Sequence, residues 1–252
     1  MSTFDPNAAP ASTATVVSLG DLRTHCKTCS MRELCLPFGL AANEVDQLQS
    51  LIGGRVKLKK GEALFRHGAP FSALYAVRVG SMKTTMLADD GREQIAGYHM
   101  PGDVVGLDGL CGGRHECEAI ALEDSEACVI PFERLEDAAR EVPALQHSLH
   151  RVVGREIGHD HRQLLMLGSM RADERLAAFL LNLSERYRRR GYSASEFVLR
   201  MTREEIGSFL GLKLETVSRL FSRFQEEGLV QVQGRAVKIV DLPTIKKLAG
   251  AR

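Results

Sequence analysis

The 252-residue sequence lacks any apolar run close to the length of a membrane span, and it lacks a charged segment followed by an apolar one of the kind that directs secretion. We therefore expect a cytoplasmic protein with no membrane partner. It also lacks a phosphate-binding glycine loop and any set of nucleophile, base and orienting residue, and its histidines are scattered. An enzyme is therefore the least favoured class.

Half of the six cysteines are concentrated near the start of the chain. The spacing C-x2-C-x5-C holds three of them within ten residues: Cys26, Cys29 and Cys35. Thiolate sulfur is a soft ligand that suits iron–sulfur clusters, zinc or copper(I), and in a reducing compartment clustered cysteines indicate metal ligands before disulfides. A fourth ligand is needed, and Cys111, Cys117 and Cys128 are the candidates. Spacing alone does not separate an iron–sulfur site from a small zinc site or a redox dithiol.

The net charge of +1 conceals an asymmetry between the two parts of the chain. Residues 171–252 hold 16 Lys and Arg against 10 Asp and Glu, whereas residues 1–170 hold 17 against 22. A basic C-terminal part suggests contact with a polyanion, although a solvated basic face would carry the same charge. Four arginines crowd one helix end and are expected to be solvated there or to touch phosphate: Arg186, Arg188, Arg189 and Arg190.

Residues 56–132 have the sequence pattern of a β domain. Short alternating runs such as Ala73–Val77 and Gln94–Tyr98 are separated by glycines, and Asp89-Asp90-Gly91 is typical of a hairpin turn. Many short strands at this spacing predict a β-sandwich or a jelly-roll barrel.

A long helical stripe follows from Pro143 to about Met170. Its apolar residues recur at helical spacing over more turns than a usual globular helix has. The stripe is therefore interpreted as an intermolecular coiled-coil seam, or else as one long helix packed on its own barrel. Asp160 falls three residues after Ile157, close to the stripe, where a carboxylate is out of place.

The C-terminal part predicts a winged helix-turn-helix. Thr202 and Glu205 form a capping box, the helix that follows runs to Leu210, and Gly211 makes a turn before a second helix. Two short strands around residues 233–235 complete the order of elements that this motif requires.

Three polar residues share one face at the start of the second helix. Glu215, Ser218 and Arg219 lie at i, i+3 and i+4. In a helix-turn-helix this part of the second helix enters the major groove, where Arg suits guanine and Glu can accept from the cytosine amino group. A surface ion pair between Glu215 and Arg219 is the alternative.

Four segments together carry a resemblance to the FNR branch of the CRP/FNR family of bacterial transcription regulators, over roughly residues 21–250. They are HCKTCSMRELC at the start, EACVIPFERL around Cys128, DERLAAFLLNLS at 173–184 and LGLKLETVSRLFSRFQEEG at 210–228. The resemblance implies an α+β fold with an N-terminal β-roll (jelly-roll) domain, a long dimerisation helix and a C-terminal winged helix-turn-helix domain. The domains expected are a disordered arm (1–20), a cluster-binding segment (21–37), the β-roll sensor (38–142), the dimerisation helix (143–170) and the DNA-binding domain (171–252).

In FNR proteins four cysteines hold an oxygen-labile 4Fe–4S cluster. The resemblance therefore implies that Cys26, Cys29, Cys35 and Cys128 are its ligands, while Cys111 and Cys117 match no ligand position. It further implies that the intact cluster favours a homodimer, that the dimer binds a TTGAT-type palindrome and activates or represses anaerobic genes, and that molecular oxygen is the signal.

The same resemblance gives expectations for individual residues. Arg219 would contact the guanine of each half-site. Lys213 stands where relatives often have a hydroxyl residue that caps the helix, so it would contact a phosphate instead. The loop Leu87–Arg92 would contact RNA polymerase. Ile157 and Asp160 are expected to form the dimer switch for a separate, physical reason: a two-fold seam brings each Asp160 close to its own copy, while Ile157 is buried in the seam.

The runner-up is a regulator that responds to a cyclic nucleotide, as in the CRP branch. There an Arg-Ser pair in the β-roll binds the phosphate, but the matching positions here are Cys117 and Glu118. A carboxylate repels a cyclic phosphate, and the guanidinium that would bind it is missing. An electron-transfer protein is a further alternative, but it would not need a winged helix.

Overall fold

The computed structural model describes residues 15–17, 26–87 and 91–250. The strands are β1 Thr15–Val17, β2 Gly54–Leu58, β3 Ala63–Phe65, β4 Ala73–Val79, β5 Met82–Leu87, β6 Glu93–His99, β7 Val104–Val105, β8 Cys117–Ala121, β9 Ser125–Pro131, β10 Glu196–Val198, β11 Val230–Gln233 and β12 Ala236–Ile239. The helices are α1 Ala42–Leu51, α2 Gly109–Gly112, α3 Phe132–Glu141, α4 Pro143–Ser169, α5 Ala172–Arg189, α6 Arg203–Leu210, α7 Leu214–Glu226 and α8 Leu242–Leu248.

The N-terminal strands form two antiparallel sheets, with the orders β1-β2-β9-β4-β7 and β3-β8-β5-β6. Alternating residues of both sheets bury their side chains in one shared core that includes Val56, Val77, Met82 and Ala119. The jelly-roll prediction is confirmed, and the two predicted strands are β4 and β6. The β5–β6 hairpin is also present, although residues 88–90 of its turn lie outside the described residues.

One expectation for the first twenty residues is wrong in part. Thr15–Val17 pairs with β2 as an antiparallel edge strand, with Val16 opposite Val56. The strand adds backbone hydrogen bonds to the edge of the first sheet, which a disordered arm would not do. The rest of the predicted arm lies outside the described residues.

Helix α4 packs on its own chain along part of its length. Pro143 occupies the first turn, where its missing N–H costs no hydrogen bond. Leu145 and Val152 are buried against the N-terminal domain, and Met166 is buried in the core of the C-terminal domain. Ile157 and Leu164, which are seven residues apart, remain 49% and 67% exposed. The helix therefore packs on its own chain and also presents a separate exposed apolar line.

The C-terminal domain is a winged helix-turn-helix, as predicted. The Thr202 side chain accepts a hydrogen bond from the N–H of Glu205, whose carboxylate accepts one from the N–H of Thr202, so α6 begins with a complete capping box. Gly211 ends α6 with φ of 63°, in the left-handed region that favours glycine. Strands β10, β12 and β11 form the wing sheet beside α7.

Among the described residues, no helix has both the length and the apolar character that a membrane crossing requires.

Candidate metal centre and DNA-binding surface

The cysteines of the N-terminal segment lie in a series of tight turns, here named the cysteine loop (residues 26–38). Cys26 begins a short 3-10 turn, and the N–H of Cys29 donates to the Cys26 carbonyl at 3.4 Å. The N–H of Cys35 donates to the carbonyl of Met31 at 3.1 Å. The N–H of Cys26 also donates to Gln49 Oε1 at 3.1 Å, which ties the loop to α1. These bonds hold three thiols on one short stretch of chain.

The fourth thiol comes from the β-roll. Cys128, on β9, lines the same cavity of about 40 Å³ as the three thiols of the cysteine loop, together with apolar residues such as Leu48 and Ile130. Neither Cys111, which is exposed on α2, nor Cys117, which is half-buried on β8, lines this cavity. The fold therefore brings together the four cysteines that the family pattern selects.

The environment of these thiols favours their protonated form. The pKa of Cys26 is raised to about 11 and that of Cys35 to about 12, mainly by burial and in part by the neighbouring cysteines. Burial also raises the pKa of Cys128 to about 11, against the opposing effect of Arg55. A cation bound between these thiols would favour their thiolate form, against the burial that raises the pKa of Cys26, Cys35 and Cys128.

The donor set fits a soft metal centre in its chemistry, since it consists of thiols in an apolar setting. The arrangement is not yet a coordination shell: within residues 26–87 and 91–250, no three His, Cys, Asp or Glu side chains stand in positions that could hold a metal ion. A metal centre therefore requires the cysteine loop and β9 to adjust around it.

The part of the β-roll that resembles a cyclic nucleotide site is filled by the chain itself. Asp108 Oδ2 accepts hydrogen bonds from the N–H groups of Glu116 and Cys117, each at 2.9 Å. Arg66 pairs with Glu118 at 2.8 Å. His115 is 2% exposed and stacks on Phe65, with its Nδ1 3.3 Å from Asp108. A phosphate would have to displace a carboxylate from these N–H groups, which disfavours the cyclic nucleotide alternative.

The predicted DNA-contacting residues lie together at the start of α7. Lys213, Glu215, Ser218 and Arg219 are all exposed, and Lys213 makes no side-chain cap bond. The opposite face of α7 is buried in the domain core through Val217, Leu220, Phe221 and Phe224. The Arg223 side chain pairs with Asp173 of α5 at 3.1 Å, which holds the helix in place. The exposed face is therefore fixed and accessible.

The predicted switch residues lie in the middle of α4. Asp160 is exposed, and Glu156 lies one helical turn before it. Both line a cavity of about 480 Å³ between the β-roll, α4 and α5. Burial, and after it the charge of Asp160, raises the pKa of Glu156 to about 7. The carboxylates of this helix already repel each other within one chain.

Two of the four clustered arginines do not lie where the sequence suggested. Arg186 and Arg190 turn toward the β-roll and pair with Asp103, whereas Arg188 and Arg189 are exposed and pair with Glu185. The expectation of a solvated or phosphate-contacting helix end is wrong for the first two. No local sequence signal pointed to Asp103, because more than eighty residues separate it from either arginine.

Glu156 gives a prediction about pH. Because its folded-state pKa is raised, its favourable contribution to stability is present below about pH 4.5 and is lost as the pH rises through about 7. We expect Glu156→Gln to remove that loss, so the variant unfolds at higher urea concentration than the wild type at pH 8. The difference should shrink as the pH falls toward 5. Urea titrations at several pH values measure it, with the exposed Glu141→Gln as control; parallel curves for wild type and Glu156→Gln would contradict the prediction.

Comparison with known proteins agrees with this geometry. A model of the Crp-like helix-turn-helix domain matches residues 174–248, and a model of the cyclic nucleotide-binding domain matches residues 55–141. The chain is 48% identical to the transcriptional regulatory protein btr of Bordetella pertussis, over 93% of this chain and 97% of that one. It is 43% identical to the anaerobic regulatory protein of Pasteurella multocida, over 93% and 86% of the two chains.

A solved structure supports the same assignment. The structure of FixK2 from Bradyrhizobium japonicum aligns with a TM-score of 0.73 and 32% identity, over 79% of this chain and 98% of that one. The relatives are transcription regulators, which confirms the prediction of a non-enzymatic DNA-binding protein. With both domains matched and close relatives aligned along nearly their full length, the chain belongs to the CRP/FNR family of DNA-binding transcription regulators.

Proposed function

We propose that this chain is an oxygen-responsive regulator in which a 4Fe–4S cluster, held by Cys26, Cys29, Cys35 and Cys128, favours the dimer that binds DNA. The observation that carries the proposal is that Cys128 of β9 lines the same cavity as the three thiols of the cysteine loop. The similarity to a protein named anaerobic regulatory protein supports oxygen as the signal. When bound, the cluster supplies an oxygen-sensitive centre, because oxygen degrades it.

Helix α4 is the element that would transmit the state of the cysteine loop. Three of its side chains donate hydrogen bonds to alternate backbone carbonyls of that loop: Ser148 to Leu36, Arg151 to Phe38 and Arg155 to Leu34. The Arg151 guanidinium also lies 4.7 Å from the centre of the Phe38 ring. A loop that rearranges around a cluster would therefore pull on α4 at three points spread over two helical turns.

The exposed line of α4 supports a two-fold seam. Ile157 and Leu164 lie on one side of the helix and expose large apolar surface, which a second copy of α4 would cover. Asp160 lies at the edge of the same face. The dimer would then place two copies of α7 to contact a palindrome, with Arg219 at the guanine, Glu215 and Ser218 beside it, and Lys213 at a phosphate.

RNA polymerase is the further partner that we propose. The loop Leu87–Arg92 is the contact inferred from the family, and Leu87 is 50% exposed at its start, while residues 88–90 lie outside the described residues. Because bacterial DNA and polymerase share the cytoplasm, we place the regulator there.

The ligand set gives a prediction about cluster content. Substituting serine for Cys26, Cys29, Cys35 or Cys128 should each abolish a stable cluster, because an alcohol is a poor ligand for iron. Cys111→Ser and Cys117→Ser are the matched controls and should keep full iron and sulfide after purification without air. Iron and acid-labile sulfide assays measure the cluster content. A full cluster content in Cys128→Ser would show that another residue is the fourth ligand.

The exposed face of α7 gives a prediction about base recognition. Arg219→Ala should cost roughly 1–3 kcal/mol of binding free energy at the guanine position and relax specificity there. Affinities for native and guanine-substituted sites, measured by fluorescence anisotropy, should then converge. Lys213→Ala is the comparison, since loss of a phosphate contact lowers affinity equally for all sequences. The same uniform loss in Arg219→Ala would make Arg219 a phosphate contact.

Asp160 gives a prediction about the dimer. Across a two-fold seam it would approach its own copy, and two carboxylates about 4 Å apart at an effective dielectric near 20 repel by roughly 4 kcal/mol before screening. A change of about 1.4 kcal/mol in the free energy of dimerisation changes the equilibrium constant tenfold. We therefore expect Asp160→Ala to dimerise and bind its DNA site in air, whereas Ile157→Ala should weaken the dimer by removing apolar burial.

Sedimentation of the cluster-free proteins measures this effect. Asp137→Ala removes an exposed carboxylate of α3 and serves as the charge-matched control, which should stay monomeric like the wild type. An Asp160→Ala protein as monomeric as that control would rule out the repulsion model.

A further inference from the structure

The winged-helix domain packs directly on the β-roll of the same chain. Tyr98 of β6 lies against Phe209 of α6 and Phe179 of α5, with ring centres 5.1 Å and 6.2 Å apart. Ile95 and Leu122 of the β-roll are buried in the same apolar core as these helices. The two domains therefore share one core where they meet.

An ion-pair cluster lies beside this shared core. Asp103, between β6 and β7, accepts from Arg186 at 2.5 Å and from Arg190 at 2.8 Å, one arginine on each carboxylate oxygen. Both arginines also bond β-roll carbonyls, at Tyr98 and Pro101. The Arg190 side chain is only 3% exposed. Asp103 is itself held by the N–H of Met100, which donates to Oδ2 at 2.8 Å.

The charge on Asp103 persists at neutral pH. Burial by itself would raise the pKa of Asp103, but Arg186 and Arg190 outweigh it and lower the pKa to about 2. The carboxylate is therefore ionised across the physiological range, and the cluster is a constant part of the interface rather than a pH switch.

Further contacts join α6 to strands β5 and β6 of the β-roll. Lys83 of β5 pairs with Glu205 of α6 at 2.8 Å, and both side chains are about four-fifths buried. The N–H of Ile95 donates to Ser208 Oγ at 3.0 Å. Because these contacts and the Asp103 cluster join the domains at several separate points, they oppose rotation as well as separation of the domains.

This interface fixes an angle that matters for DNA. The exposed face of α7 and the exposed line of α4 both remain accessible while the interface is closed. A dimer formed along α4 would bind two half-sites only if each α7 has one orientation relative to that helix, because half-sites recur at about 34 Å. Buried ion pairs contribute little net stability compared with apolar packing, but they can select one arrangement.

We propose that Asp103 is a positioning residue for DNA binding: by bonding Arg186 and Arg190 of α5 it sets the orientation of α7 relative to α4, and so the half-site spacing that the protein accepts. The inference rests on the proposed dimer along α4. It concerns how this chain selects paired sites, and Asp103 itself touches no DNA.

Binding to sites of altered spacing tests the proposal. Asp103→Asn keeps the size of the side chain and removes its charge, and Arg188→Ala is the control, because it removes an exposed arginine of α5 that pairs with Glu185 on its own helix. Protein purified without air is titrated, by fluorescence anisotropy, with a palindrome of native spacing, the same palindrome lengthened by two base pairs, and a single half-site. Sedimentation confirms that each variant is dimeric.

The wild type and Arg188→Ala should bind the native palindrome at least about a hundredfold more tightly than the lengthened one, as bivalent binding allows. In Asp103→Asn the native site should weaken by about tenfold or more and the preference for native spacing should fall to a few-fold, while single half-site affinity stays unchanged. The affinity for a single half-site separates the two explanations, because damage to the winged helix would lower it and a change of orientation alone would not.

The proposal would be overturned if Asp103→Asn kept both the wild-type affinity for the native palindrome and the wild-type preference for native spacing. Tighter binding of the variant to the native palindrome would also overturn it. If Asp103→Asn does not fold, Lys83→Gln removes a second contact of the same interface and should lose spacing preference in the same direction; no loss there would equally overturn it. A wild type that binds one half-site as tightly as the palindrome would instead refute the dimer of the proposed function.

Discussion

The hydrogen bonds between α4 and the cysteine loop are the constraint on which the other features depend. The loop has little regular structure, so its carbonyls need partners from elsewhere, and a half-buried carbonyl without one is costly. Side chains of α4 supply those partners at Leu34, Leu36 and Phe38. The position of the loop and the position of the helix are therefore not independent. Any change of the loop around Cys29 or Cys35 must be accommodated by the helix.

Because α4 is long, these hydrogen bonds to the cysteine loop also affect distant parts of the molecule. Val152 is buried in the N-terminal domain, and Met166, almost four turns later, is buried in the core of the winged-helix domain. Between them Ile157 faces outward. A helix is stiff over this distance, so the cysteine loop, the exposed apolar line of α4 and the DNA-binding domain are joined by one rigid element. The Asp103 cluster is a second connection between the two domains.

Local signals made part of this structure predictable from sequence. The capping box at Thr202 and the turn at Gly211 each involve residues within four positions of one another, so the helix-turn-helix could be predicted in outline. The arginines show the limit of such reasoning. Arg188 pairs with a carboxylate three residues away, whereas Arg190 pairs with Asp103, which is eighty-seven positions away in the sequence. No sequence pattern along the helix distinguishes the two arginines. The link between Cys128 and the cysteine loop came from family resemblance rather than from spacing.

The β-roll shows why a fold alone does not identify a signal. Its strands match a cyclic nucleotide-binding domain, yet the N–H groups of Glu116 and Cys117 are already bonded to the Asp108 carboxylate. That carboxylate supplies the negative charge that a phosphate would otherwise bring, so the loop is satisfied without a ligand. The buried thiols of the cysteine loop and Cys128 differ in this respect, because a bound cation would stabilise their anionic form. This difference is the physical reason for proposing the thiols, rather than the β-roll loop, as the site that receives the signal.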